Sequence, residues 1–121
     1  MQYCLIVDDS SVIRKVARRI LEDFNFTVSE AEDGITALDM CRRQMPDLLL
    51  LDWHLPMMDG LELIANVRRI EGGRRPKVVF CVSEANVAQI AKALRAGADE
   101  YILKPFDRLE VEAKLHEIGL L

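Results

Sequence analysis

Continuous apolar runs alternate with amphipathic stretches along the chain. The clearest run is that of four leucines at 48–51, which a carboxylate, Asp52, follows at once. A continuous apolar run of this length is typical of a strand that lies inside a parallel sheet and has helices on both faces. Runs of this kind, together with shorter β-prone segments, predict five strands, at 1–7, 26–31, 47–52, 77–83 and 100–103.

Between the predicted strands, apolar residues recur with the three- and four-residue spacing of helices that bury one face. The first helix is predicted to begin after Ser10 or Ser11, because either hydroxyl can accept a hydrogen bond from the first turn. Aspartates are predicted to cap the second, third and fifth helices in the same way, and they are Asp33, Asp59 and Asp107.

The fourth helix is predicted over 86–96, where Val87, Ile90, Ala91 and Leu94 lie on one face. Gly97 follows it and readily takes the left-handed conformation that ends many helices. Five strands that alternate with five helices indicate the α/β class, a doubly wound fold in which a parallel sheet carries helices on both faces.

The chain has 121 residues, enough for one domain with a full hydrophobic core. Its net charge of −4 argues weakly against nucleic acid as the main partner. Cys4, Cys41 and Cys81 suit neither a disulfide framework nor a zinc site, so we expect reduced thiols in a cytoplasmic protein. No apolar run approaches the ~20 residues that span a membrane. The first strand is predicted to start almost at Met1, so we expect no signal peptide.

Polar side chains stand at the carboxyl ends of several predicted strands: Asp8, Asp9, Asp52, Ser83 and Lys104. These strand ends meet at one edge of such a sheet, so we expect the three carboxylates to lie together. Like charges this close would either raise the pKa of one carboxylate or require a cation, and a set of oxygen ligands suits Mg²⁺. A metal, an ammonium group and a hydroxyl donor around one carboxylate are the components of a phosphoryl-transfer site.

These residues also form a recognisable series: the Asp8-Asp9 pair, Asp52 after the leucine strand, the LPMMDG segment at 55–60, Ser83 after VVFCV, AGA at 96–98, and Lys104-Pro105-Phe106. In this order and spacing, the chain resembles the receiver domain of two-component response regulators, and most of all the stand-alone, CheY-like ones. The resemblance covers nearly the whole chain. It implies a flavodoxin-like sheet with strand order 2-1-3-4-5, and a single receiver domain over 1–121 with no output domain.

The resemblance implies that Asp52 accepts a phosphoryl group from a histidine kinase, a histidine phosphotransfer protein or a small phosphodonor. Mg²⁺, with Mn²⁺ as an alternative, would be bound by Asp9, Asp52 and the backbone carbonyl of His54, and by Asp8 mainly through water. Lys104 and Ser83 would contact the phosphoryl oxygens, and the bond between Lys104 and Pro105 is expected to be cis.

The resemblance also implies a switch rather than an enzyme, with at most self-catalysed phosphorylation and dephosphorylation. Tyr101 would turn inward as Ser83 moves, and the face made by the fourth helix, the fifth strand and the fifth helix would then change for a downstream protein partner. We expect a monomer or weak dimer that binds neither membrane nor nucleic acid.

Four pairs of adjacent arginines, at 18–19, 42–43, 68–69 and 74–75, raise the alternative of a nucleic-acid partner. We favour ordinary surface charge, because the helical repeat spreads the pairs over several solvated faces. The basic side of the first helix is the exception, since it lies near the acidic site, where the family docks its phosphodonor.

The sequence departs from the family pattern at a few positions. Ser83 replaces the more common threonine and keeps the hydroxyl. Glu84 stands where the family usually has a small residue, so its carboxylate either points to solvent or crowds the phosphoryl group. His54 and Ala85 stand where the family tunes its self-dephosphorylation.

Three alternatives stay open from the sequence. A pseudo-receiver that works without phosphate is favoured by Glu84 and disfavoured by the intact acidic set. A phosphohydrolase of the haloacid-dehalogenase type needs a second aspartate two residues after its nucleophile, where this chain has His54. A flavodoxin would bind phosphate after the first strand, where Asp8 and Asp9 would repel it.

Overall fold

The computed structural model describes residues 1–84 and 86–121, so the position of Ala85 lies outside the described residues. The strands are β1 (Tyr3–Val7), β2 (Thr27–Ala31), β3 (Leu48–Asp52), β4 (Lys77–Val82) and β5 (Glu100–Leu103). The helices are α1 (Ser11–Asp23), α2 (Gly34–Arg43), α3 (Gly60–Arg69), α4 (Val87–Ala96) and α5 (Arg108–Glu117).

The five strands form one parallel sheet with the order β2-β1-β3-β4-β5, which confirms the flavodoxin-like topology. Val7 of β1 is paired with Leu51 of β3, and Leu51 is paired with Phe80 of β4. The register therefore brings the carboxyl ends of the three central strands level with one another, and the loops that follow them share one edge of the sheet.

The four leucines of β3 face two separate hydrophobic cores. Leu49 and Leu51 pack with α2 and α3 on one face of the sheet, while Leu48 and Leu50 pack with α1 and α5 on the other. Successive side chains of a strand point to opposite faces, so a strand with helices on both sides must be apolar at every position. All four leucines are at most 6% exposed.

Each helix begins at a side chain that accepts a hydrogen bond from its first turn. At α1 the cap is Ser10, which accepts from the backbone N–H of Ile13 at 3.3 Å. The remaining caps are Asp33, Asp59, Asn86 and Asp107, with distances of 2.7, 2.9, 3.1 and 2.9 Å. The predicted aspartate caps are thus confirmed, and Gly97 ends α4 with φ of +118°.

The apolar face of α4 is largely uncovered. Ala93 is its buried residue, whereas Val87 and Leu94 are 82% and 47% exposed. Leu103 of the neighbouring strand β5 is also exposed. The sequence pattern correctly indicated a helix here, but most of its apolar surface does not join the core.

The helices are too short to cross a lipid bilayer. Among the residues that the structure describes, none of them has the length and the apolar character of a membrane span.

Candidate functional site

Three carboxylates converge at the carboxyl ends of β1 and β3. Asp8 and Asp9 follow β1, and Asp52 is the last residue of β3. One carboxylate oxygen from each lies within 4.8 Å of the others. The convergence follows from topology, because β1 and β3 are adjacent parallel strands that end at the same level.

Asp8 is the most buried of the three carboxylates, with 2% of its surface exposed. Its Oδ1 accepts a hydrogen bond from the backbone N–H of Ser10 at 2.9 Å, and its Oδ2 accepts from Lys104 Nζ at 2.8 Å. Both oxygens therefore have a donor, which buried polar atoms require. Asp9 is exposed, and its backbone follows directly from this fixed position.

Lys104 joins two of the three carboxylates. Its Nζ lies 2.8 Å from Asp8 Oδ2 and 3.0 Å from Asp52 Oδ1. The backbone N–H of Lys104 donates to the carbonyl of Val82 at 2.8 Å, which fixes the lysine beside β4. The bond between Lys104 and Pro105 is cis, as expected.

The ionisation of Asp52 and Lys104 reflects this environment. Burial raises the pKa of Asp52 above its ordinary value, Lys104 opposes that shift, and the nearby charge of Asp8 adds to it. For Lys104, burial alone would lower the pKa, but its hydrogen bonds to Asp8 and Asp52 outweigh burial and raise the pKa. Lys104 is therefore a cation at neutral pH, between carboxylates that repel each other.

A small open cavity of about 110 Å³ lies over Asp52. Its lining comes from the end of β3, the end of β4, the loops that follow these strands, and α4. The residues are Asp52, Trp53, His54, Val82, Ser83, Glu84 and Gln89. Liquid water occupies about 30 Å³ per molecule, so the cavity has space for ~3 waters or a group of similar size. Ser83 and Glu84 are both exposed, so the acidic side chain of Glu84 faces solvent at the wall of this cavity.

The loop after β3 is held close to the sheet. The backbone N–H of Trp53 donates to the carbonyl of Cys81 at 3.2 Å, and the Trp53 ring lies 5.1 Å from the ring of Phe80. Gly60, at the start of α3, packs so closely that a Cβ atom would lie 2.5 Å from Phe80 Cε1. The glycine that ends the LPMMDG segment is thus required by a close approach behind Asp52.

Tyr101 lies in β5 and is half-buried against the core on the α3 side of the sheet. Lys114 Nζ lies 4.8 Å from the centre of its ring and 3.4 Å from Glu100 Oε1. A cation–π contact therefore links the Tyr101 ring on β5 to Lys114 on α5. This contact was not predicted from the sequence.

Two residues around the site were not predicted from the sequence. Gln89 of α4 lines the cavity over Asp52, and Arg14 of α1 donates to the backbone carbonyl of Asp8 at 2.6 Å. No motif signals the arginine contact, because its acceptor is a backbone atom.

Two of the arginine pairs, 68–69 and 74–75, line one cavity instead of separate faces. Within it Arg68 donates to the carbonyls of Gly73, Pro76 and Gly97.

The donor atoms of the acidic cluster fit a hard divalent cation. Carboxylate oxygens are the ligands that Mg²⁺, Ca²⁺ and Mn²⁺ prefer, and Mg²⁺ commonly uses one or two carboxylates and keeps several waters. Asp8, Asp9 and Asp52 supply such oxygens within 4.8 Å of one another, and solvent reaches the cluster through the exposed Asp9. The cluster can therefore hold a metal ion.

Comparison with known proteins identifies the family. The sequence profile of the response regulator receiver domain matches residues 4–116. The chain belongs to the response regulator receiver domain family. It is 38% identical to chemotaxis protein CheY-3 of Vibrio cholerae serotype O1 over 115 residues, which cover 94% of this chain and 88% of that protein.

Solved receiver structures have the same fold. The chemotaxis response regulator CheY4 of Vibrio cholerae matches this receiver domain with a TM-score of 0.92 and 26% identity, over 98% of each chain. The receiver domain of a sensor histidine kinase from Pseudomonas aeruginosa, a structure with a magnesium ion coordinated in the active site cleft, matches with a TM-score of 0.88 and 33% identity, over 98% of each chain.

Proposed function

We propose that this receiver domain is a CheY-like response regulator that accepts a phosphoryl group on Asp52 in a reaction that depends on Mg²⁺. The observation that carries the proposal is the position of Asp52. Its carboxylate borders an open cavity, contacts Lys104 at 3.0 Å, and lies within reach of two further carboxylates. A nucleophile, a fixed cation and a metal-binding cluster are thus next to one another.

In the proposed reaction, an oxygen of the deprotonated Asp52 carboxylate attacks the phosphorus atom of the donor. The new O–P bond forms as the bond from phosphorus to the donor nitrogen or acyl oxygen breaks, and the leaving group keeps that electron pair. Lys104 compensates for charge on the phosphoryl oxygens, and its raised pKa keeps it protonated for this purpose. Ser83 supplies a hydroxyl donor at the cavity wall.

Mg²⁺ would supply positive charge to the phosphoryl oxygens as they approach three carboxylates. We assign Asp9 and Asp52, with the backbone carbonyl of His54, as its protein ligands, and Asp8 as a contact through water. Self-catalysed dephosphorylation would return the acceptor to its original state when water attacks phosphorus and the O–P bond to Asp52 breaks. The domain therefore acts as a phosphoacceptor and not as an enzyme that turns over a separate substrate.

The exposed face formed by α4, β5 and α5 is the proposed output surface. A phosphoryl group adds charge of about −1.5 to −2 and three acceptor oxygens. Ser83 and Lys104 must rearrange to satisfy them, and Tyr101 lies on β5, the strand that leads directly to Lys104. Uncovered apolar side chains, Val87, Leu94 and Leu103, give a downstream protein a surface to bind.

The exposed side of α1 is the proposed contact for a histidine kinase or a histidine phosphotransfer protein. Val12 and Val16 are 66% and 43% exposed, and with Lys15, Arg19 and Ile20 they line a shallow cavity of about 310 Å³. This mixed apolar and basic surface begins at Val12, three residues after Asp9, so a donor bound there would be close to Asp52.

The experiment uses the single tryptophan, which adjoins Asp52 and packs on Phe80. Trp53 fluorescence is expected to change on titration with Mg²⁺, and again when acetyl phosphate is added. Intact-protein mass spectrometry should then show one added phosphoryl group. Asp52→Asn should remove the second fluorescence change and the added mass.

Asp39→Asn is the matched control, because Asp39 lies on α2, half-exposed, in an ion pair with Arg43. It should keep both responses. The second candidate function, a pseudo-receiver that binds without phosphate, is favoured by the exposed Glu84 at the cavity wall. Unchanged mass of the unsubstituted protein after treatment with Mg²⁺ and acetyl phosphate would reject the phosphoacceptor in favour of this alternative.

A further inference from the structure

Arg14 connects the loop that carries Asp8 and Asp9 to the neighbouring strand β2. Its Nη1 donates to the backbone carbonyl of Asp8 at 2.6 Å, and its Nε donates to Glu30 Oε1 at 2.9 Å. The side chain is only 16% exposed, so the guanidinium group is largely fixed between α1 and β2. One planar group thus spans two elements at the level of the proposed metal site.

The carbonyl of Asp8 belongs to the peptide group that joins Asp8 to Asp9. Asp8 is held at its side chain by Ser10 and Lys104, whereas Asp9 is exposed. The direction of this peptide group therefore constrains the backbone from which the Asp9 side chain extends. Repulsion among three carboxylates within 4.8 Å would otherwise drive the loop apart.

Glu30 in turn fixes Arg14. The two oxygens of Glu30 accept from Arg14 Nε at 2.9 Å and from Arg18 Nε at 2.6 Å. Both arginines pair with the same carboxylate, but the hydrogen bond to the Asp8 carbonyl comes from Arg14. The chain therefore offers a close internal control, since Arg18 lies one helical turn further along α1.

We propose that Arg14 is a positioning residue of the metal site: by holding the peptide group between Asp8 and Asp9, it directs the Asp9 carboxylate toward the cation. The inference rests on the proposed magnesium site and deepens it. Substitution of a residue that hydrogen-bonds to a metal ligand and orients it typically lowers metal affinity about 10- to 100-fold.

The sign of the effect separates positioning from simple electrostatics. Removal of a positive charge near a cation site should tighten Mg²⁺ binding if charge alone mattered, because like charges repel. Loss of a positioning hydrogen bond should weaken the binding instead. Arg14→Gln therefore gives opposite results under the two explanations.

The test is a Mg²⁺ titration followed by Trp53 fluorescence, with urea unfolding of every variant in parallel. Arg14→Gln should raise the dissociation constant for Mg²⁺ about 10-fold. Arg14→Lys keeps the charge and one donor, so it should recover part of the affinity. Arg18→Gln loses the same carboxylate partner and should stay within about 2-fold of the unsubstituted protein.

An unchanged or lower dissociation constant for Mg²⁺ in Arg14→Gln overturns the inference. An equal rise of this constant in Arg18→Gln also overturns it, because pairing with Glu30 alone would then explain the effect. If Arg14→Gln is too unstable to titrate, the Mg²⁺ affinity of Arg14→Lys is the test. An affinity equal to that of the unsubstituted protein would mean that the positive charge alone matters and would overturn the inference. An intermediate affinity would support positioning. Failure of the proposed metal site would look different, because the unsubstituted protein itself would then give no response to Mg²⁺.

Discussion

Glu84 adds a negative charge at the wall of the cavity that Asp52 borders. Small phosphodonors such as acetyl phosphate are anions, and they must approach past this exposed carboxylate. Glu84→Gln removes the charge and keeps the shape, so we expect phosphorylation by acetyl phosphate to become about 3-fold faster at low salt, an effect of the size usual for an exposed charge. Stopped-flow Trp53 fluorescence measures this rate.

Glu71→Gln is the control for Glu84, because Glu71 is exposed in the connector before β4, at the opposite end of that strand. It should leave the rate unchanged. The advantage of Glu84→Gln should also shrink at high salt, where exposed charges are screened. A slower reaction in Glu84→Gln would mean that the carboxylate assists the transfer, contrary to this prediction.

Met57 has an unfavourable backbone conformation, with φ of +72° in the loop after β3. A side chain with a Cβ atom is strained there by roughly 1 kcal/mol, and asparagine tolerates the region better than methionine. Because Met57 is 76% exposed, little packing is lost on substitution. We expect Met57→Asn to raise the free energy of unfolding by about 0.5–1 kcal/mol, measured by urea denaturation.

The chain provides the reverse experiment at Asn25, which has φ of +67° after α1. Asn25→Met should lower the free energy of unfolding by a similar amount. If Met57→Asn were neutral while Asn25→Met was destabilising, contacts of the methionine side chain would have to offset the backbone strain at position 57.

At the scale of helices and strands, Glu30 connects α1 to β2 by pairing with Arg14 and Arg18. Burial alone would raise the pKa of Glu30, but hydrogen bonds from the two arginines outweigh it and lower the pKa below the usual 4.5. The stability from this pairing is therefore fully present above about pH 4.5 and is lost as the pH falls through the lower folded-state pKa.

Glu30→Gln should lower the free energy of unfolding by about 1–2 kcal/mol at neutral pH. The difference from the unsubstituted protein should narrow as the pH falls below 4.5 and through the lowered pKa of folded Glu30, because both proteins then have a neutral side chain at this position. Urea midpoints across this range test the prediction. Glu22→Gln, which removes a more exposed pair with Arg18, should differ little at any pH. A constant difference for Glu30→Gln would attribute its effect to packing and not to charge.

The elements that sequence predicted well are those whose pattern has a single structural solution. Four consecutive leucines require a strand with two covered faces, and β3 has Leu48 and Leu50 in one core and Leu49 and Leu51 in the other. The pattern of α4 has two solutions. It shows an apolar face but not whether the face packs on the sheet, and Val87 and Leu94 are exposed.

The acidic cluster was predictable from topology, because adjacent parallel strands must bring their terminal residues together. Asp8, Asp9 and Asp52 do converge, and Lys104 lies between two of them. The support behind the cluster was not predictable. Arg14 acts on a backbone carbonyl, and neither residue type nor spacing marks such a contact.

Across the whole molecule, the acidic cluster lies between two exposed surfaces with different composition. The α1 surface combines valines with Lys15 and Arg19, and the α4–β5 surface exposes Val87, Leu94 and Leu103. Both border loops at the same edge of the sheet. Under the proposed function, a phosphodonor would bind the α1 surface and a downstream partner would bind the α4–β5 surface, so a change at the acidic cluster would affect both contacts.

At the scale of the whole domain, we expect stability to depend on Mg²⁺, because the proposed ion would bind the acidic cluster. Burial raises the pKa of Asp52, so its ionised form near Asp8 is unfavourable in the folded protein, and a bound cation relieves that repulsion. Only the folded chain brings the three carboxylates together. At a Mg²⁺ concentration of about 100 times the dissociation constant, linkage adds about 2.7 kcal/mol, which corresponds to a rise of roughly 10 °C in Tm.

Differential scanning calorimetry with and without Mg²⁺ measures the rise. Asp9→Asn should lose most of it, because the exposed carboxylate is a proposed ligand whose removal leaves the core intact. Asp39→Asn, on α2, should keep all of it. An equal rise in Asp9→Asn and in the unsubstituted protein would mean that Mg²⁺ acts through general surface charge, and the assignment of Asp9 as a ligand would then be wrong.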